Sequence, residues 1–236
     1  MKEYIWILGG LGPEASQYLY KNILHYCQKK YWAIQDTDYP HMLINNIWLE
    51  GFDETWIVKP DLVKEWLLDG IKQLENAGVH KIYIACNTVH TYYQYLQEKS
   101  QWKIINLIQA TCDKIKKQWH KKVLILSSKT TNDIWLYDAY LQKLWISFCK
   151  VNTIEQDTLD QIIESVMGWM VREKDFWYIE DISKKYKKQW ATGVIIGCTE
   201  LPLATRAERN SLEVFDTIEI LTEMISASTQ TKSPII

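Results

Sequence analysis

The sequence predicts an α/β protein made of two similar halves, and three observations carry that expectation. Short apolar runs of strand character alternate with segments of helical length and period. The runs lack the in/out alternation of a half-exposed strand, which implies burial on both faces and so a parallel sheet covered by crossover helices. The element order of the first half is then echoed in the second.

Taken in order, the strand candidates are Tyr4 to Leu8, His41 to Ile44, Lys81 to Ile84, Lys103 to Ile105, Lys122 to Leu126 and Gly193 to Ile196. Between them, Pro13 to Lys29, Lys59 to Asn76 and Thr158 to Met170 have helical period. The first half runs from a strand into the turn Gly9-Gly10-Leu11-Gly12, then a helix, and later a strand that ends at Cys86-Asn87-Thr88. The second half runs from a strand into the polar turn of residues 127–131, then a helix, and later a strand that ends at Cys198-Thr199-Glu200. Ligands of open α/β sheets bind outside the carboxyl ends of the strands. Two such halves set face to face would therefore open both cysteines onto one cleft. The boundary is expected near Ala110, with a helix over 108–117 as connector.

Composition narrows the function classes. With 236 residues, 47% hydrophobic and 24% charged, the chain can bury one large core or two packed smaller ones. The formal charge of -2 and the lack of a basic block interleaved with aromatics argue against a nucleic-acid partner. The start runs from apolar residues straight into glycines, and no apolar run reaches membrane-spanning length, so a cytoplasmic protein without membrane contact is expected. Five scattered cysteines with no C-x-x-C pair fit free thiols in a reducing compartment and offer no metal-ligand cluster. The twelve tryptophans fall at varied spacings and are expected to pack in the core or along helix flanks.

Inversion at the Cα of an amino acid needs a proton removed from one face and delivered to the other, which suits two acid/base groups on opposite walls. A thiol, with a free pKa of about 8.5 that its surroundings shift readily, can serve in either form. Cys86 and Cys198 end strands where backbone N–H groups are free, and a helix starting after Cys86 would stabilise a thiolate or a substrate carboxylate. Asn87, Thr88 and Thr199 add donors, while His90, four residues after Cys86, and Glu200, two after Cys198, are placed to tune the thiols. The alternatives are burial of the cysteines as small hydrophobes and a phosphate-binding role for Gly9 to Gly12, although that turn is not G-x-G-x-x-G. Cys27, Cys112 and Cys149 lack such flanks and are expected to pack; His25, His41, His80 and His120 are expected at the surface or at element ends.

The segments Gly9-Gly10-Leu11-Gly12-Pro13, Ala85-Cys86-Asn87-Thr88-Val89-His90 and Gly197-Cys198-Thr199-Glu200-Leu201 resemble the three signatures of the aspartate/glutamate racemase family. Lesser matches at Asp36, Pro40, Asn45-Asn46, Thr131, Tyr137, 155–157 and Phe215-Asp216 extend the likeness along nearly the whole chain. The resemblance implies two pseudosymmetric domains, residues 1–110 with 207–236 returning to pack on them, and residues 111–206. It also implies an active-site cleft between the domains, a homodimer, a small amino-acid substrate, and neither pyridoxal phosphate nor metal. Carried over by position, Cys86 and Cys198 are the two bases. Gly10, Asn87, Thr88, Thr131, Thr199, Glu200 and His90 belong to the substrate site.

The chain departs from that pattern where aspartate-specific members hold the distal carboxylate. The arginine expected after the Asn-Asn pair is replaced by Phe52, and the lysine expected after the second-half helix start is replaced by Met167. With Trp48 nearby, these residues suggest an apolar pocket, unless Lys129 supplies the missing cation. A related decarboxylase or cis-trans isomerase and a non-catalytic binding protein are the rival expectations. Retention of both cysteines speaks against the single-thiol decarboxylases.

Overall fold

A computed structural model describes residues 4–53, 56–78 and 81–228. His80 and the outer ends of the expected domain spans, 1–3 and 229–236, lie outside them. Four strands, β1 (Ile5–Gly9), β2 (Met42–Asn46), β3 (Lys81–Ile84) and β4 (Lys103–Ile104), form one all-parallel sheet in the order β2-β1-β3-β4. Four more, β5 (Lys122–Leu126), β6 (Ser147–Lys150), β7 (Gly193–Ile196) and β8 (Glu213–Asp216), form a second all-parallel sheet in the matching order β6-β5-β7-β8. The fold is thus the two-sheet α/β architecture expected, with each sheet reversing direction of growth beside its first strand.

The helices begin where their sequences can satisfy the first-turn N–H groups. α1 (Pro13–Tyr31) and α2 (Pro60–Asn76) start on proline, which has no N–H to leave unpaired. α3 (Tyr93–Lys99) follows a single 3-10 turn at Thr88–Tyr92, so the α-helix expected directly after Cys86 is replaced by a tighter turn. The connector is α4 (Leu107–Lys117), capped by the Asn106 side chain, which accepts from Gln109 N at 2.9 Å. In the second half, the short α5 (Lys129–Asp133) and α6 (Asp138–Lys143) precede α7 (Thr153–Met167), whose start is held by a reciprocal Asn152/Glu155 capping box. α8 (Glu173–Lys187) and α9 (Thr217–Ser228) complete the chain. No described helix is long and apolar enough to cross a membrane.

The segment expected to return to the first domain divides in two. Glu213–Asp216 pairs with β7 and belongs to the second sheet, and only then does α9 pack along α1 and against α4. The division follows from burial: Ile218, Leu221 and Ile225 of α9 join Leu19 and Ile23 of α1, Ile108 and Ile115 of α4, and Ile125 and Ile195 of the second sheet in one core that runs through both halves. Separate apolar layers close the outer faces, one beneath α2 and one beneath α7 and α8.

All five cysteines are free thiols, and Cys27 and Cys112 pack in the shared core while Cys149 lies against the outer layer of the second half. The expectation that the tryptophans pack fails for most of them. Trp6 is buried, but Trp32, Trp48, Trp56, Trp119, Trp135, Trp145, Trp169, Trp177 and Trp190 are exposed.

Asp216 ends β8 and caps α9, its Oδ1 accepting from Ile218 N at 2.7 Å and Glu219 N at 3.3 Å, with Tyr18 Oη donating to Oδ2 at 3.5 Å. Burial, followed by the nearby Glu219 charge, raises its carboxyl from 3.8 to about 7. A folded value above the unfolded one means that this group's stabilising contribution is complete below about pH 4 and is lost as pH rises through about 7. Asp216→Asn keeps the Oδ1 acceptor and removes the titration. Urea unfolding at a series of pH values should therefore show the variant gaining on the wild type between about pH 4 and about pH 7; a constant difference would refute the shift.

Candidate active site

Both switch points of the two sheets face one another. In the first sheet the switch lies between β1 and β3, and the chain leaves these strands at Gly9-Gly10 and at Ala85-Cys86. In the second it lies between β5 and β7, where the chain leaves at Ser127-Ser128 and at Gly197-Cys198. A cavity of about 220 Å³ opens between them, walled on the first side by Gly10 to Pro13 and Cys86 to Thr88 and on the second by Ser128 and Cys198 to Glu200. Leu49, Phe52 and Asp53 from the loop after β2, with Ile163 and Met167 from α7, close the end.

Two glycines permit close approach at the first-half turn, one within that half and one across the cleft. Gly10 has φ +83°, and a Cβ there would stand 2.3 Å from the Ile47 carbonyl oxygen, so the turn cannot accept a side chain without displacing the chain after β2. Gly12 has φ +99°, and its Cβ would fall 1.8 Å from Glu200 Oε1, which places the second-half carboxyl directly against the first-half turn.

A chain of buried hydrogen bonds fixes the two strand ends across the cleft. Tyr137 Oη donates to Asn87 Oδ1 at 2.6 Å, Asn87 Nδ2 donates to Thr217 Oγ1 at 3.1 Å, and Thr217 Oγ1 donates to the Ile196 carbonyl at 3.1 Å. Beside it, the hydroxyls of Thr88 and Thr131 lie 2.7 Å apart, and Ser128 Oγ donates to Thr131 Oγ1 at 3.1 Å. Thr131 is therefore behind Thr88 and Ser128 rather than in the cavity wall.

The electrostatics favour neutral thiols in the resting site. Burial pushes the Cys86 thiol up to about 12, opposed by the N–H groups of Val89 and Thr88 and assisted by the Glu200 charge. Burial also raises Cys198 well above its ordinary value, and Glu200 raises it further. Cys198 Sγ donates to Glu200 Oε2 at 3.0 Å, and Thr199 Oγ1 donates to the same oxygen at 3.1 Å. Glu200 is raised in turn, chiefly by burial, although the bonds from Cys198 and Thr199 oppose that.

His90 stands behind the strand end and does not line the cavity. Leu107 N donates to its Nε2 at 3.2 Å, which makes Nε2 the acceptor and leaves Nδ1–H to donate to the Cys86 carbonyl at 2.7 Å. Burial lowers its pKa, consistent with that neutral tautomer. Two further expectations are corrected. Trp48 is 79% exposed and Leu49 takes its place in the wall, because the chain after β2 turns the next side chain inward. Lys129 is paired with Asp133 one helical turn on, and only its backbone N–H reaches inward, to Asp160 Oδ1 at 3.0 Å. Among the described residues, the sixteen that line the cavity include no lysine, arginine or histidine; Asp53 and Glu200 are the charged ones.

Sequence reasoning missed Asp53, Ser128, Leu49 and Ile163 as wall residues and Tyr137 as the brace of Asn87. Ile163 was detectable, since it precedes Met167 by four positions and shares its helix face. Among the described residues no group of three or more metal-ligating side chains occurs.

Fold and site together define an interdomain-cleft enzyme with one thiol at the strand switch point of each half. The description of the Asp/Glu/hydantoin racemase family matches residues 8–225, and the chain belongs to that family; it is a racemase, an isomerase by reaction class. It is 27% identical over 216 residues to the broad specificity amino-acid racemase RacX of Bacillus subtilis (strain 168), covering 90% of this chain and 92% of that one. Among solved structures it is similar to an aspartate racemase homologue from Pyrococcus horikoshii OT3, with TM-score 0.80, 30% identity and coverage of 97% and 99%. The Picrophilus torridus aspartate racemase shares the fold at TM-score 0.80, with 22% identity and coverage of 96% and 94%.

Tyr137→Phe should leave the buried Asn87 carbonyl without its donor and destabilise the protein by about 1–3 kcal/mol. Thermal denaturation of the variant measures this, and an unchanged midpoint would show that the bond does not brace the cleft.

Proposed function

We propose that the chain is a cofactor-independent amino-acid racemase in which Cys86 and Cys198 are the two acid/base groups. The observation that carries this is the equivalent placing of the two thiols, each at the β-strand switch point of its own sheet and both lining one cavity. An amino acid held in that cavity presents one face of Cα to each half. One sulfur, as thiolate, takes the Cα proton, and the other, as thiol, delivers a proton to the opposite face. The raised thiol pKa values suit the task, because Cα–H is a very weak acid and a more basic thiolate has more driving force to remove its proton. Glu200 accepts from Cys198 and can hold the proton that Cys198 must lose before acting as base. Asn87, Thr88 and Thr199 supply the polar groups for the α-carboxylate and amine, and Thr131 and His90 hold those groups in place. The enzyme is proposed to act in the cytoplasm as a homodimer.

The substrate is proposed to be a neutral or hydrophobic amino acid. A distal carboxylate enclosed in the cleft needs a cation, because desolvating an unpaired charge costs several kcal/mol. The wall offers Phe52, Met167, Leu49 and Ile163 instead, and its two charged groups are acidic. Aspartate or glutamate is the competing substrate that the family and the relatives' names raise, and it would require a cation in the cleft, either Lys129 released from Asp133 or one from another loop.

Replacing either Cys86 or Cys198 by Ala should abolish racemisation in the dialysed, chelator-treated enzyme, while solvent deuterium still enters Cα from one enantiomer only. A variant that keeps more than about a tenth of the wild-type rate, an effect below ~1.4 kcal/mol, would rule out the two-thiol mechanism.

For specificity, kcat/KM should be higher for methionine, leucine or phenylalanine than for aspartate and glutamate. Loss of a partner from a buried charge pair typically costs about 2–5 kcal/mol, roughly 30- to 5000-fold. Phe52→Arg combined with Met167→Lys should move the preference toward aspartate. A wild-type kcat/KM at least tenfold higher for aspartate would overturn the substrate assignment without touching the two-thiol mechanism.

A further inference from the structure

Every described non-glycine residue with positive φ is a tryptophan: Trp32, Trp119, Trp135, Trp145, Trp169 and Trp190, with φ between 56° and 69°. Left-handed backbone is costly for an L side chain because Cβ crowds the following carbonyl, and a bulky residue there is an outlier. Asparagine and aspartate tolerate it next after glycine, yet none of the described ones adopts it.

All six follow the end of a helix, and five complete the motif in which glycine is the usual residue. Trp119 N–H bonds the Lys116 carbonyl at 3.1 Å and the next N–H, of His120, reaches back to Ile115 at 3.3 Å. The same pair of bonds, three and five residues back, recurs at 135, 145, 169 and 190. Trp32 caps α1 in the same conformation, its N–H on the Cys27 carbonyl. The end of α2 gives an internal control: Gly78, at φ +94°, donates to Glu75 O at 2.9 Å and is a glycine.

Nothing the indoles do offsets that cost. They are between 66% and 89% exposed, so little apolar area is withdrawn from water. Two have a surface partner, Trp169 Nε1 donating to Glu14 at 2.6 Å and Trp135 lying under the Lys150 ammonium at 5.1 Å. Composition points the same way, with twelve tryptophans against nine glycines in 236 residues, glycine standing at roughly half its usual share of about 7%.

We infer that these six positions carry glycine in the protein made by its own cell. The triplet UGA, a stop in the standard code, is read as tryptophan under some genetic codes and as glycine under others. UGA at these positions gives the present sequence in the first case and a chain matched to this backbone in the second. The other six tryptophans lie outside left-handed backbone and are not constrained by it. The inference is independent of the racemase mechanism.

Peptide mass spectrometry of the protein isolated from its source cells, with sequencing of its gene, tests this. Glycine at all six positions, each encoded by UGA, is expected; tryptophan in any of these peptides, or UGG at any of the six codons, would overturn it. As a second readout, the recombinant tryptophan chain and a variant with all six Trp→Gly changes are melted side by side. The glycine variant should melt higher by roughly 10 °C or more, and an equal or lower midpoint would show that the backbone was not selected for glycine.

Discussion

A parallel strand can be joined to its neighbour only by a crossover that returns the chain to the other end of the sheet, so all four carboxyl ends of each sheet point the same way. Where the direction of strand addition reverses, the two departing loops part and leave a crevice. This constraint generates the site. Because β1 and β3 flank the crevice in one half and β5 and β7 in the other, Cys86 and Cys198 need no special device to face a common space. They need only that the halves be set carboxyl end to carboxyl end. The shared core through α1, α4 and α9 does that, since its side chains would be exposed if the halves moved apart.

Close approach has an electrostatic consequence. Two thiols and a carboxyl are buried together with no cation among the described wall residues; burial disfavours the charged form of each, and the Glu200 charge raises both thiols further. The cleft therefore favours protonated groups over charged ones. The hydrogen bonds through Asn87, Tyr137 and Thr217 brace the strand ends against one another.

Most of the frame was legible in the sequence because buried parallel strands are written as runs of Ile, Val and Leu. β3, β5 and β7 fall on the expected residues, and β1, β2 and β4 within two residues of them. β6 and β8 were not foreseen, and both are edge strands whose exposed faces break the apolar run: Ser147 and Glu213 are exposed while Phe215 is buried. The placing of Cys86 and Cys198 was legible because each follows directly on a buried apolar run. The back of the site was not, because support depends on contacts distant in sequence: Asn87 meets Tyr137 across fifty positions and Thr217 across one hundred and thirty. The tryptophans misled because residue type suggests burial, whereas six of the nine exposed ones follow helix ends, where the local backbone turns the side chain to solvent.

The division between strand ends and the remaining wall also explains how one family frame can serve different side chains. Cys86 and Cys198 are fixed by sheet register, and a shift of either would require a strand to slip past neighbours with which it is paired on both sides. Phe52 lies on the loop after β2, and Met167 is the last residue of α7. Neither is tied into a sheet, so replacing them alters the polarity of the far wall without moving the thiols. The turn at Gly10 to Gly12 stands between these two regimes. Gly10 and Gly12 must stay free of side chains, the first to admit Ile47 of the same half and the second to admit Glu200 of the other. A side chain at Gly12 would press against the second half beside Cys198, whereas a side chain exchanged at Phe52 or Met167 changes the far wall and leaves the strand-end thiols in place.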